Sequence, residues 1–426
     1  MEKLNMRQIA ALVVMTFMLL APTVSADSVA VATSGGISTD GGEANAASSA
    51  QATDGGHARA SSDSVALGDG ATATTVSSAT ADDRKSDAIA DSDARSVAVE
   101  DWTSDTTVET TSITTANANG GADATARSDV DAVGVALHGS STDIEVVGVA
   151  NANAGLDIVD QCCNRVRDDS DAVATTDIDV LGVAREHSDV SVTNIYGESN
   201  ANAAIFSDAN AHADIDIRAG ALCCSSVTVE GANVIANADA LAYSDADATS
   251  TLGVIALAID GSDITIAQSD ITSDADAALW SDADAEANGR ILAIAIHESE
   301  INAGVNAEAT SAAVIAGKAD AKSDAGIFAI AVNHGTVNAN AEAVSDAYGV
   351  QNRFRGGSDS DATAGVVVGA ANGGTVNADA NAYAGTLGVL HRAKADADAL
   401  ARGFVRGCLS VLNLNSDANA VDIQTP

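Results

Sequence analysis

Along almost the whole chain a small or apolar residue alternates with a polar one, and this period of two recurs in blocks. The clearest block is an apolar alternating run, a four-residue polar turn and a second alternating run that opens with Ile or Val. Residues 252–259 (LGVIALAI) and DGSD lead into Ile264, and residues 291–296 (ILAIAI) and HESE lead into Ile301. Residues 327–332 (IFAIAV) and NHGT lead into Val337, and residues 366–371 and NGGT lead into Val376. With the opening residue as marker, the series is Ile37, Val76, Val108, Ile144, Val190, Val227, Ile264, Ile301, Val337, Val376 and Val411. The intervals are 39, 32, 36, 46, 37, 37, 37, 36, 39 and 35. A unit of about 37 residues predicts a repeat architecture.

After each marker Ala alternates with Asp, Asn, Ser or Glu, as in VNANAEAV from Val337 and VNADANAYA from Val376. Alanine favours helix, but a period of two spreads it around a helix and leaves no apolar stripe, and Asp, Asn, Ser, Gly and Val are poor in helix interiors. In a strand the same spacing puts every Ala on one face and every polar partner on the other. The pattern predicts about three short strands per unit. A disordered acidic tail is the competing reading; the mean hydropathy of +0.11 and the fixed phase of the repeat argue against it.

Composition sharpens this. Only 3% of the residues are aromatic, so the 46% that are hydrophobic are mainly Ala and Val, and the core must be small-residue and tightly packed. The only prolines are Pro22 and Pro426, which fits a backbone hydrogen-bonded nearly throughout. The expected fold is all-β: a repetitive β-solenoid or stacked β-arch sheets, with a plain antiparallel meander as the alternative. No capping segment of different composition stands at either end, and open sheet edges invite another copy to add on. The chain divides into a leader (1–26), irregular β-repeats (27–143) and regular β-repeats (144–426).

The leader reading rests on a basic start, an apolar run over residues 9–20 and the small residues Val24-Ser25-Ala26 suited to a signal peptidase. It predicts export, with no later membrane-spanning segment. Net charge is 20 − 60 = −40, which disfavours nucleic acid and anionic membranes as partners. The predicted partner is a second copy of the chain.

Five cysteines, Cys162, Cys163, Cys223, Cys224 and Cys408, are candidate disulfide cross-links. In an exported chain they would be oxidised, and their odd number leaves one for another molecule. Cys224 and Cys408 lie three residues before Val227 and Val411, hence at the same corner about five layers apart. At ~4.8 Å per layer that separation is some 24 Å, beyond disulfide reach within one solenoid. Adjacent cysteines on a strand would point to opposite faces. Stapling of Cys162/Cys163 to Cys223/Cys224 within one chain stays open beside bonds between copies.

Aspartates such as Asp274, Asp276, Asp282 and Asp284 would project in rows from one face, where repulsion would be relieved by bound Ca²⁺, salt or protonation. No EF-hand loop is present and no other cofactor is expected. His138, His187, His297 and His334 fall in the same turn of their units, with Asp189, Glu298 and Glu300 near them. Arg353, Arg355, Arg392, Lys394, Arg402 and Arg406 concentrate positive charge in the C-terminal part, as candidates for docking on the acidic flank of a neighbour. No nucleophile elbow, phosphate loop or HExxH motif occurs, so no enzymatic role is expected.

The leader, the Ala/Asp/Asn/Val alternation, the missing proline and the vicinal cysteines resemble the major sheath proteins of filamentous methanogenic archaea. That resemblance implies subunits that polymerise as stacked β-hoops into a disulfide-supported, protease-resistant extracellular tube. SVALGDGATA from Ser64 also resembles the head repeats of bacterial trimeric adhesins, over one unit only. The expected function is therefore a secreted, self-assembling structural protein. A surface adhesin is the second reading and a polysaccharide-active β-helix the third.

Overall fold

A computed structural model describes residues 24–425 apart from segments 26–28, 39–42, 54–56, 68–71, 84–87, 101–104, 120–122, 156–170, 206–207, 280–281, 298–299, 315–317, 351–356, 372–374, 390–392, 407–410 and residue 335. The described residues form strands and no helix. The first strands are β1 (Val24–Ser25), β2 (Val29–Ser38), β3 (Glu43–Thr53), β4 (His57–Leu67), β5 (Thr72–Asp83), β6 (Ala88–Glu100), β7 (Asp105–Asn119) and β8 (Ala124–Leu137). There follow β9 (Ser141–Gly155), β10 (Ala172–Arg185), β11 (Asp189–Ile205), β12 (Ala209–Leu222), β13 (Ser226–Glu230), β14 (Asn233–Ala242), β15 (Ala246–Ile259) and β16 (Asp263–Leu279). The last are β17 (Ala283–Ile296), β18 (Glu300–Val314), β19 (Lys318–Val332), β20 (Thr336–Val350), β21 (Gly357–Ala371), β22 (Thr375–Val389), β23 (Ala393–Arg406) and β24 (Val411–Thr425).

Two parallel sheets face each other, and the chain passes from one to the other at every arc. Sheet one runs β1-β3-β5-β7-β9-β11-β13-β16-β18-β20-β22-β24, with β14 continuing the level of β13. Sheet two runs β2-β4-β6-β8-β10-β12-β15-β17-β19-β21-β23. This is a β-solenoid of stacked β-arches. Each coil holds two long strands, one per sheet, rather than three short ones. One arc was visible as the polar turn; the other falls between Leu279 and Ala283, inside the Ala/Asp alternation, where neither Gly nor Pro marks it.

Register confirms the repeat and corrects some of its markers. Val190, Val227, Ile264, Ile301, Val337 and Val376 stand in one column. Val376 then pairs with Leu412, so the last marker moves from Val411 by one residue and Cys408 lies four residues before it. Val190 pairs with Thr142, two residues before Ile144. A slip of two preserves the buried face, so hydrophobicity does not distinguish the two registers. Val76 pairs with Thr111 and faces outward, and Ile37 belongs to β2 in the other sheet. The ladder is unbroken across residues 143 and 144, since β7 and β9 pair along their whole length. A kink recurs within sheet one, where Asn194 and Gly231 take positive φ of 55° and 69° and β13 breaks from β14.

The core is graded across each coil. On β15 the buried residues are Ala246, Ala248, Ser250, Leu252, Val254, Ala256 and Ala258; facing them on β16 are Ile264, Ile266, Ile271, Ser273, Ala275 and Ala277. Large aliphatics fill the half next to one arc, and alanine alone fills the half next to the other. Between the halves Ser273 Oγ donates to Ser250 Oγ at 2.9 Å, or to the Glu286 carbonyl at 2.7 Å, while Ser250 Oγ reaches the Thr272 carbonyl at 2.6 Å. Thr176 and Ser199 repeat the arrangement in an earlier coil, with Ser199 Oγ 3.0 Å from Thr176 Oγ1. These hydroxyls satisfy one another and the backbone, so a polar row crosses the core without orphaned donors at those rungs.

Where an isoleucine needs space, the opposite strand supplies glycine. A Cβ on Gly289 would lie 2.4 Å from Val305 Cγ2 and 2.7 Å from Ile271 Cδ1. Gly365 faces outward, with nothing within 4 Å of such a Cβ. Gly289→Ala is therefore expected to destabilise the chain by roughly 1–3 kcal/mol through overpacking, while Gly365→Ala leaves stability unchanged or slightly raised. Guanidinium unfolding of the two variants checks the contrast.

Candidate functional site

The first arc is a stack of near-identical turns. His138, Glu186, Cys223, Asp260, His297 and Asn333 each begin it with φ between 59° and 64°. Residues at the second position, among them His187, Cys224 and His334, also take positive φ. Each turn bonds to the next: Glu186 N donates to the Leu222 carbonyl, Cys223 N to that of Ile259 and Asp260 N to that of Ile296. At the third position Ser188 Oγ donates back to the Arg185 carbonyl at 2.6 Å and accepts Gly139 N at 3.1 Å. Ser225 and Ser262 continue this serine ladder. A hydroxyl thus caps its own turn and the turn of the adjacent coil.

Cys223 and Cys224 therefore sit on an arc, both exposed and both free, and not on a strand with opposite faces as the sequence suggested. Two successive left-handed residues turn both thiols outward at the rim of the sandwich. Cys162, Cys163 and Cys408 lie outside the described residues. The four histidines do share this arc. His138 Nε2 lies 3.1 Å from Glu186 Oε2 and His297 Nδ1 lies 2.9 Å from Asp260 Oδ1, each pair bridging adjacent coils. Asp189 Oδ1 accepts the backbone N–H of Ser226 at 3.2 Å, and Asp263 Oδ1 that of Glu300 at 3.1 Å; Glu298 lies outside the described residues.

The opposite arc carries a second ladder. Asp123, Asp171, Asp208 and Asp245 each accept the backbone N–H of the next Asp in the column, at 3.0–3.2 Å, and Asp282 accepts that of Lys318 at 2.7 Å. Stacked carboxylates repel, but each also satisfies an N–H that the arc leaves unpaired, a charge-assisted bond. Asparagine columns do the same without charge. Asn338 donates to Asn302, Asn377 to Asn338 and Asn413 to Asn377, at 2.7–2.8 Å.

The aspartate rows do not share one face. Asp274 and Asp276 project from sheet one, Asp284 from sheet two, and Asp282 belongs to the arc. Burial between neighbouring rows raises the carboxyl pKa values of Asp239, Asp247, Asp274, Asp276 and Asp284 above the usual 3.8. Adjacent carboxylates add to the rise, as Asp284, Asp245 and Asp208 do for Asp247. Glu286 moves the other way because the Lys322 ammonium hydrogen-bonds it at 2.9 Å. Among the described residues no group of three or more His, Cys, Asp or Glu is placed to hold a metal ion.

Of the basic candidates, Lys394 and Arg402 are exposed on β23, and Arg406 ends that strand. Lys394 is already paired with Asp396 on its own strand. Arg353, Arg355 and Arg392 lie outside the described residues.

Sequence reasoning missed one surface. On β17 the core takes Ile291, Ala293 and Ala295, while Leu292, Ile294 and Ile296 point outward. Register aligns Ile255, Leu292 and Phe328 in one outward column and Leu257, Ile294 and Ile330 in the next. Ile255 is 48% exposed and Phe328 40%, values at which a core side chain would be uncovered. Parity supplied the signal: once Ala293 and Ala295 of ILAIAI are assigned inward, Leu292, Ile294 and Ile296 must face out. The other half of the same face carries Asp247, Asp284 and Asp320, and a column of Gly253, the exposed Arg290 and Gly326 separates the halves.

No protein-family model, curated protein or solved structure matches the chain.

A carboxyl whose pKa is higher in the folded state contributes stability that is fully present below its unfolded pKa and is lost as pH rises through the folded value. More of the shifted carboxyls rise than fall. Lowering pH from 7 to 4 at low salt is therefore expected to raise the thermal unfolding midpoint, and added salt to shrink the difference. Differential scanning fluorimetry or circular dichroism across that window measures the sign.

Proposed function

We propose that this chain is a secreted structural protein that polymerises with copies of itself into an extracellular sheath or filament, with cysteines on the arcs cross-linking the assembly. The observation that carries the reading is the exposed sheet edge at β24. β24 pairs with β22 on one side only, and residues 411–421 are all exposed, including Leu412, Leu414, Ser416, Ala418 and Ala420 at core parity. These positions continue the columns of Val376, Ala378, Ala380, Ala382 and Ala384, all buried one coil below.

The other end of the solenoid supplies a matching strand. β3 buries Ala44, Ala46, Ser48, Ala50 and Ala52, so a second copy laid on β24 would set Ser48 over Ser416 and alanines over Ala418 and Ala420. β1 occupies the free edge of β3 through Val24 opposite Ala52 and Ser25 opposite Thr53. Removal of a leader ending at Ala26 would release that edge, which couples export to assembly. β2 carries no charged residue and β3 carries only Glu43, so the join would rest on backbone hydrogen bonds and small-residue packing rather than on charge.

Ala420→Lys tests this. In the single chain Ala420 is exposed, so the fold tolerates lysine; in a polymer the ammonium would be buried between sheets. The processed protein is expected to form SDS-resistant polymers that dissolve only with reductant, and the variant to remain monomeric with an unchanged circular dichroism spectrum. A wild-type chain that stays monomeric at high concentration under oxidising conditions would overturn the reading.

A further inference from the structure

We infer that the outward aliphatic face of sheet two is a lateral docking surface for the same face of a second copy, so that polymers of this chain associate in pairs side by side. The inference rests on end-to-end assembly as proposed above. Its basis is the two-sided apolar packing of β15, β17 and β19, where Ala256, Ala293 and Ala329 are buried inward while Ile255, Leu257, Leu292, Ile294, Phe328 and Ile330 stand on the outside of the same strands. Nothing in the fold requires large residues there, because the core is complete without them. Solvent-facing positions on the other half of the same strands are charged or polar, with Asp247, Asp284, Glu286, Asp320 and Asp324 outnumbering Lys318 and Lys322.

Area decides how the face is used. A third column, Ile259, Ile296 and Val332, flanks the Ile255 and Leu257 columns. With ~4.8 Å between coils and about 6.7 Å between alternate residues, three coils and three columns cover roughly 15 by 20 Å, about 300 Å². Two copies meeting there bury about 600 Å² together, short of the ~1,000 Å² that a stable pair of free proteins needs. Along a polymer the patch recurs in every subunit, so two or more contacts act together and exceed that threshold. Single subunits should therefore stay apart while polymers pair.

Geometry favours a second copy as the occupant. The side chains stand in rows at the coil spacing, and only another solenoid of the same rise presents rows that interdigitate with them throughout, as in a steric zipper. Charge argues against a lipid surface. Asp247, Asp284 and Asp320 share the flat face and would be pressed into the headgroups, whereas a second solenoid can be offset across the column of Gly253, Arg290 and Gly326 so that the acidic halves, with Arg290, hang clear. Cys223 and Cys224 follow Leu222 directly, at the rim of this face, so that offset also sets the exposed thiols beside the contact.

The test compares the processed wild-type chain with a Leu257→Asp/Ile294→Asp variant, and with Leu257→Thr/Ile294→Thr as a milder change that keeps strand-forming residues. Electron microscopy with mass-per-length measurement reads the assembly, and circular dichroism checks the fold. The expected result is a twofold fall in mass per length in both variants, with filament length retained, and no pairing of end-blocked Ala420→Lys subunits. Unchanged mass per length in the variants, or a wild-type polymer of single width, overturns the lateral face while leaving end-to-end assembly standing. Wild-type binding to phosphatidylcholine vesicles that the variants lose overturns it in favour of a lipid occupant. Absence of polymer from every chain sinks end-to-end assembly and this inference with it.

Discussion

Every position in this molecule has to tolerate a neighbour of its own kind about 4.8 Å above and below it. Parallel, in-register stacking imposes that condition on whole columns, and the residue types follow from it. Alanine meets it in the interior because a methyl group fits beneath a methyl group. Asparagine meets it on the outside because its amide donates to the coil before it and accepts from the coil after it, as from Asn302 through Asn413. Aspartate meets it only where the carboxylate accepts a backbone N–H of the next coil, as at Asp171, Asp208 and Asp245. In the half-buried rows at Asp239, Asp247, Asp274, Asp276 and Asp284 the carboxyls retain protons more readily than free ones do.

Alanine's small size shifts the burden of stability. A buried methyl removes little area from water, at roughly 25 cal/mol per Å², so no single side chain dominates the core. One half recovers some of this with Ile264, Ile266 and Ile271, the last accommodated by Gly289, and the alanine half lets the two sheets approach closely. Buried hydroxyl pairs such as Ser250 and Ser273 mark the boundary and fix the sheets against each other in register. A uniform apolar core would allow a strand to slide by two residues, whereas a row of paired hydroxyls penalises the slide by leaving donors unmatched.

The repeat, its period near 37, the all-β class and the inward alanine face were legible from residues alone, because a period of two admits no other regular structure. Less was legible where a signal is shared by two arrangements. The second arc hides within the Ala/Asp alternation at Leu279–Ala283, so two long strands looked like three short ones. Thr142 and Ile144 satisfy the same inward parity, so the column marker slipped by two. Cys223 and Cys224 read as strand residues because only backbone dihedrals reveal the paired left-handed turn. The outward aliphatic face was hidden because large apolar residues ordinarily mark core, whereas Leu292, Ile294 and Ile296 alternate with the buried Ile291, Ala293 and Ala295 on one strand.

β8 and β10 pair residue for residue although Ala124 and Ala172 are 48 positions apart, whereas β10 and β12 pair at 209 − 172 = 37. The additional stretch, which contains Cys162 and Cys163, enters between β9 and β10 without moving a rung of either sheet. Chain length is thus uncoupled from sheet geometry at that corner. The pairing of β8 with β10 sets no upper limit on the number of residues that the chain spends between β9 and β10.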